Sequence, residues 1–120
     1  MCTSLGSNAF YGCRSLKFIN IPKVESIASS CFFNCTALIQ ISLPECTFIN
    51  NNAFFYCTSL QSAYLPKCSL ISGYAFADAN KLVSIDLPEC TKLSTGAFAR
   101  CNSLSIVSLY KCSYIDNLAF

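Results

Sequence analysis

Ten cysteines in 120 residues are the first groups in this chain with chemistry to offer. Thiols can pair as disulfides, hold a metal ion or act as nucleophiles. Each use needs company. A nucleophilic thiol needs a base, and the chain contains no histidine, the commonest base and the commonest metal ligand. A zinc site needs closely spaced pairs, and the only close pair is Cys31 and Cys35, with no second pair at matching spacing. The carboxylates Glu25, Glu45, Asp78, Asp86, Glu89 and Asp116 are dispersed, and no glycine-rich phosphate loop is present. No catalytic, cofactor-binding or metal-ligating residue is therefore assigned, and a non-enzyme without a cofactor is expected.

The cysteines do have an order. Nine fall on an 11-residue grid: Cys2, Cys13, Cys35, Cys46, Cys57, Cys68, Cys90, Cys101 and Cys112. Val24 and Ala79 occupy the skipped places. A position that accepts Cys, Val or Ala wants a small, buried, apolar side chain. Free thiols packed in a core are the leading reading. Disulfides are the rival, since neighbours in one column would lie within bridging reach. Stacked side chains pointing the same way would, however, give poor bridge geometry.

The elements that must carry these columns follow from a 22-residue period. Phe recurs at 10, 32, 54, 76, 98 and 120, and Leu at 16, 38, 60, 82 and 104. Apolar columns follow at Ile19, Ile41, Ala63, Ile85 and Val107, and at Ile21, Leu43, Leu65, Leu87 and Leu109. Leu5, Ile27, Ile49, Ile71, Leu93 and Ile115 form another. A 22-residue unit cannot bury a core alone, but stacked copies share one. Leu82-Val83-Ser84-Ile85-Asp86-Leu87 ends in strict alternation, the pattern of a short strand with one buried face. Pro22, Pro44, Pro66 and Pro88 end such strands. Successive strands must run parallel, because each coil returns to the same starting point. Ala53 and Cys57, four apart, predict a single helical or 3₁₀ turn on the opposite side.

This pattern resembles the leucine-rich repeat, and more narrowly the BspA-like leucine-rich repeats. The resemblance rests on Leu43-Pro44-Glu45-Cys46, Ala53-Phe54-Phe55-Tyr56-Cys57-Thr58-Ser59-Leu60 and Leu87-Pro88-Glu89-Cys90. It covers essentially the whole chain, with local departures at Ala79, Tyr110 and Cys31. It implies a right-handed solenoid with a parallel β-sheet on the concave face and short turns or 3₁₀ segments on the convex face. Such repeats occur mainly in cell-surface proteins of host-associated anaerobic bacteria and parasitic protists. The resemblance thus implies a protein-binding or adhesion role at the cell surface or in secreted form. A cytoplasmic location is the alternative.

Residues 1–120 are expected to form one solenoid of five full repeats and a partial sixth, an excerpt of a longer array. The net charge of +2 suggests no nucleic-acid partner. The longest uncharged stretch, 46–66, is broken by Asn, Ser, Thr and Gln, so no membrane insertion is expected. The expected partner is a protein, such as a host-cell surface or matrix protein. Outward strand positions vary freely, and Phe18, Asn20, Gln40, Tyr64, Asp86 and Ile106 are the candidate partner-binding residues. Free variation suits a recognition face and an unconstrained surface equally. Tyr11, Phe33 and Phe55 form an aromatic column on the other side, readable as packing or as a binding patch. Lys23, Glu45, Lys67, Glu89 and Lys111 alternate in sign, so stacking should set each charge beside two opposite ones. The alternative function is a structural spacer that self-associates end to end.

Overall fold

A computed structural model describes all of residues 1–120. The chain winds as a parallel β-solenoid of about five turns and contains no helix. Ten short strands appear: β1 (Ser4–Leu5), β2 (Ser26–Ile27), β3 (Gln40–Ser42), β4 (Phe48–Ile49), β5 (Ser62–Tyr64), β6 (Leu70–Ile71), β7 (Ser84–Asp86), β8 (Lys92–Leu93), β9 (Ile106–Ser108) and β10 (Tyr114–Ile115). All pairings are parallel and in a 22-residue register, Ile27 to Ile49 to Ile71 to Leu93.

The continuous sheet is not where the alternation points. The order β1-β2-β4-β6-β8-β10 builds a six-stranded ladder on the Ile27–Ile49–Ile71 column. The alternating segments form only two separate pairs, β3 with β5 and β7 with β9. Their alternation is as expected: Ile41 and Ile85 are buried while Gln40, Ser42, Ser84 and Asp86 are exposed. The N–H of Leu43 donates to the carbonyl of Tyr64, and that of Leu87 to Ser108. The equivalent bonds from Ile21 to Ser42 and from Leu65 to Asp86 are missing. The strand face is thus built two coils at a time.

The third side of each coil is a run of tight turns, and no 3₁₀ helix forms. Of 64 backbone hydrogen bonds, 56 lie outside the strand ladders; some close turns within one coil, and others join neighbouring coils on the turn side. Phe32 N–H donates to Ala53, Phe54 to Ala75, Phe76 to Ala97 and Phe98 to Ala119, at 2.7–2.8 Å. The turns reverse through two left-handed positions per coil. One column is Asn8, Ser30, Asn52, Tyr74, Gly96 and Leu118, and the other is Gly12, Asn34, Tyr56, Asp78 and Arg100. Both sit at the third residue of an i-to-i+3 bonded turn, where a type II turn needs positive φ. This demand explains why a helical continuation from Ala53 to Cys57 fails.

A single cluster of 29 buried residues fills the interior. Its spine is the phenylalanine column. Six rings stack with centroids 5.0–5.8 Å apart and planes within 12°. That spacing matches the rise between coils (about 4.8 Å), so each backbone step delivers one offset-stacked ring. The molecule measures 33 × 28 × 19 Å.

Candidate functional site

The residues with the most chemistry are the cysteines, and burial silences seven of them. All ten are free thiols. Burial raises Cys31, Cys35, Cys90 and Cys101 to a pKa of about 11 and Cys68 to about 12. Burial pushes Cys46 and Cys57 upward as well. Few thiolates form at neutral pH, so nucleophilic use is suppressed.

Their regular spacing in the chain has a second cause that composition hides. Cys35, Cys57 and Cys101 each donate through Sγ to a carbonyl in the preceding coil, those of Phe10, Phe32 and Phe76, at 3.1–3.2 Å. Cys46, Cys68, Cys90 and Cys112 donate instead to the carbonyl two residues on, at 3.3–3.4 Å. A small apolar side chain that also carries a weak donor satisfies both demands.

The candidate partner-binding residues come from the paired strand face. Phe18, Tyr64 and Ile106 are 59%, 59% and 62% exposed, and Asn20, Gln40 and Asp86 are exposed beside them. Phe18, Asn20 and Gln40 meet, with Ile19 and Ser42, around a groove of about 400 Å³. The groove lies between the first and second coils, where the Ile21–Ser42 ladder bond is absent. Its lining carries no charge: two apolar side chains, two amides and a hydroxyl. Tyr64 lies one strand across from this groove, on β5 in register with Ser42 of β3. Asp86 and Ile106 belong to the second pair, β7 with β9, and do not line the groove.

The charged column behaves differently from expectation. Lys67 pairs with Glu45 at 2.7 Å and Lys111 with Glu89 at 2.8 Å. Lys23 makes no ion pair, and Lys67 does not bridge to Glu89. Each charge therefore has at most one partner, always inside the same two-coil unit that pairs the strands. Beside this column runs a ladder of hydroxyls that reading the sequence missed. Thr47, Ser69, Thr91 and Ser113 each donate to the carbonyl of the residue 22 positions earlier. The visible signal was Ser or Thr recurring after the L-P-x-C motif.

The turn side carries the aromatic column. Tyr11 stacks on Phe33 at 4.8 Å, and Phe33 meets Phe55 edge-on at 5.3 Å. Packing is therefore one of its roles. The column is continued by residues not singled out from sequence. Tyr56 stacks on Phe55 at 4.4 Å, Tyr74 leans over Gly96, and the Arg100 guanidinium lies 6.0 Å from the Phe55 ring. Arg100 also holds Asp78 with two bonds of 2.7 and 2.8 Å. Asp78 is 8% exposed, and pairing raises the Arg100 pKa above its ordinary value.

Stacked parallel coils, a shared apolar core and exposed variable strand positions define a leucine-rich repeat solenoid. The family model for the BspA type leucine rich repeat region matches residues 2–120 in six copies, and the chain belongs to that family. Its fold is similar to the crystal structure of a T. pallidum leucine rich repeat protein, with a TM-score of 0.77 and 24% identity. That match covers 98% of this chain and 53% of the other, so the chain spans about half the length of that protein. No curated protein matches the chain significantly. Repeats of this family are protein-interaction modules. No helix is long and apolar enough to cross a membrane.

Proposed function

We propose that the chain is a non-enzymatic protein-binding module of a cell-surface or secreted adhesive protein. One observation carries the reading: Phe18, Asn20 and Gln40, taken from two coils, converge on one uncharged groove on the variable face. An exposed aromatic next to unpaired amides is the composition of a protein-contact anchor. The amides supply donors and acceptors for a partner's main chain, and the absence of charge favours a neutral, apolar-anchored segment. Tyr64 extends the contact across the strand pair. The surface or secreted location rests on the family resemblance. The buried, weakly acidic thiols are compatible with an oxidising compartment, because few thiolates are available to react.

Selection of a displayed random-peptide library on the immobilised chain tests the proposal. Enriched peptides should bind the native chain and weaken by about 30-fold against Phe18→Ala, the loss of about 2 kcal/mol expected of an anchor. A library that yields no binder, or binders indifferent to Phe18→Ala and Tyr64→Ala together, would reject the reading. A self-associating spacer would instead show mass rising with concentration in light scattering.

A further inference from the structure

The turn side holds bulky residues where its backbone least favours them. Each coil needs two left-handed positions, and Asn8, Asn34, Asn52, Gly12 and Gly96 meet that need with little steric penalty. Four positions break the pattern with large side chains: Leu118 stands apart, and Tyr56, Tyr74 and Arg100, at φ of 60°, 56° and 57°, gather around one ring. All three approach Phe55: the Tyr56 ring lies at 4.4 Å, Tyr74 at 6.2 Å and the Arg100 guanidinium at 6.0 Å. Asp78, itself left-handed, fixes Arg100 in place with its two bonds. Strained positions that cluster on one surface patch point to a use other than stability.

The chemistry of the patch narrows what it would take. Tyr56 and Tyr74 are 44% and 40% exposed, so parts of their rings face water. The Asp78 carboxylate neutralises Arg100. The guanidinium keeps N–H donors beyond the two spent on Asp78. A pyranose ring has a C–H face that stacks on an aromatic ring and adjacent hydroxyls that match a planar, bidentate polar group. A protein partner would need a larger apolar area than these few side chains provide. We propose that Phe55, Tyr56, Tyr74 and the Arg100–Asp78 pair form a platform for a neutral saccharide, separate from the strand-face groove.

The chain has no tryptophan, and Tyr56 and Tyr74 are two of its six tyrosines, so tyrosine fluorescence carries a signal from this patch. The probes are cellotetraose, chitotetraose, mannotriose and N-acetyllactosamine, titrated into the whole chain. At least one should shift the emission saturably, with calorimetry confirming a dissociation constant of about 1 mM or tighter. Tyr56→Gly and Arg100→Gly should each weaken that binding about tenfold or more, and the melting temperature of Tyr56→Gly should stay level or rise. Peptides selected on the strand face should bind these variants unchanged. The proposal fails if none of the four saccharides binds, or if binding survives both substitutions. It fails equally if Tyr56→Gly melts several degrees lower, which would assign that side chain to packing. Loss of peptide binding in these variants would make the patch a protein surface and overturn it too.

Discussion

Single residues here answer to the backbone before they answer to a partner. The left-handed columns cost a non-glycine residue about 1–2 kcal/mol each, against the 0.5–1 kcal/mol that glycine loses through chain freedom. Ser30, at φ 55° on the second coil, should therefore gain about 0.5 kcal/mol on Ser30→Gly, read as a higher midpoint in urea. Gly96→Ala should do the reverse. Its Cβ would fall 2.5 Å from the Tyr74 ring at a φ of +65°. A loss of about 1–3 kcal/mol and a displaced Tyr74 are expected, checked by urea titration and tyrosine emission. The cysteines impose a pH limit. A thiol held protonated in the fold at about 11, against an ordinary 9.0, binds its proton more tightly folded than unfolded. Stability is then full below pH 9 and falls as pH rises toward 11, because the unfolded chain releases those protons first. Circular dichroism should show alkaline unfolding that begins within that window.

At the scale of elements, the two-coil unit is the finding. Strands β3 and β5 pair, and so do β7 and β9, and the same coils carry the Glu45–Lys67 and Glu89–Lys111 bridges. Alternating signs at 22-residue spacing were plain in the sequence. The choice of partner was not. Lys67 stands between Glu45 and Glu89 in the column and bridges Glu45 alone. Both bridges are exposed and add little at ordinary salt. Lys67→Glu should still set three carboxylates in one column, lowering the melting temperature at low salt and recovering it at high salt. The phenylalanine ladder matters far more. Phe54 is fully buried between two parallel rings. Phe54→Ala should cost about 3–5 kcal/mol, measured as a lower denaturant midpoint, because neighbouring coils cannot collapse into the hole.

Across the whole molecule, each coil touches its neighbours and little else, so stability should be a sum over coils and their interfaces. The core columns were legible and hold through the inner coils, while Ile115 and Phe120 are about half exposed. Phe, Leu, Ile and Cys recur in register because every coil meets the same neighbours one step away. Parallel stacking followed from the period alone, since a chain that returns to one starting point must run the same way each time. The candidate face was legible as a set of outward positions, but not as a site. Phe18, Asn20 and Gln40 meet in a groove because the first two coils part at Ile21 and Ser42, and no local pattern announces a missing hydrogen bond. The continuous sheet fell on Ile27, Ile49 and Ile71, where a two-residue strand is too short to show alternation. The turn platform escaped notice because left-handed φ is a property of the backbone path. Tyr56 and Arg100 became unusual only once that path was known. Periodicity therefore determined the stack and its core, through repeated identical burial. The tertiary structure alone decided which exposed groups converge, because that depends on splays and turns smaller than the repeat itself.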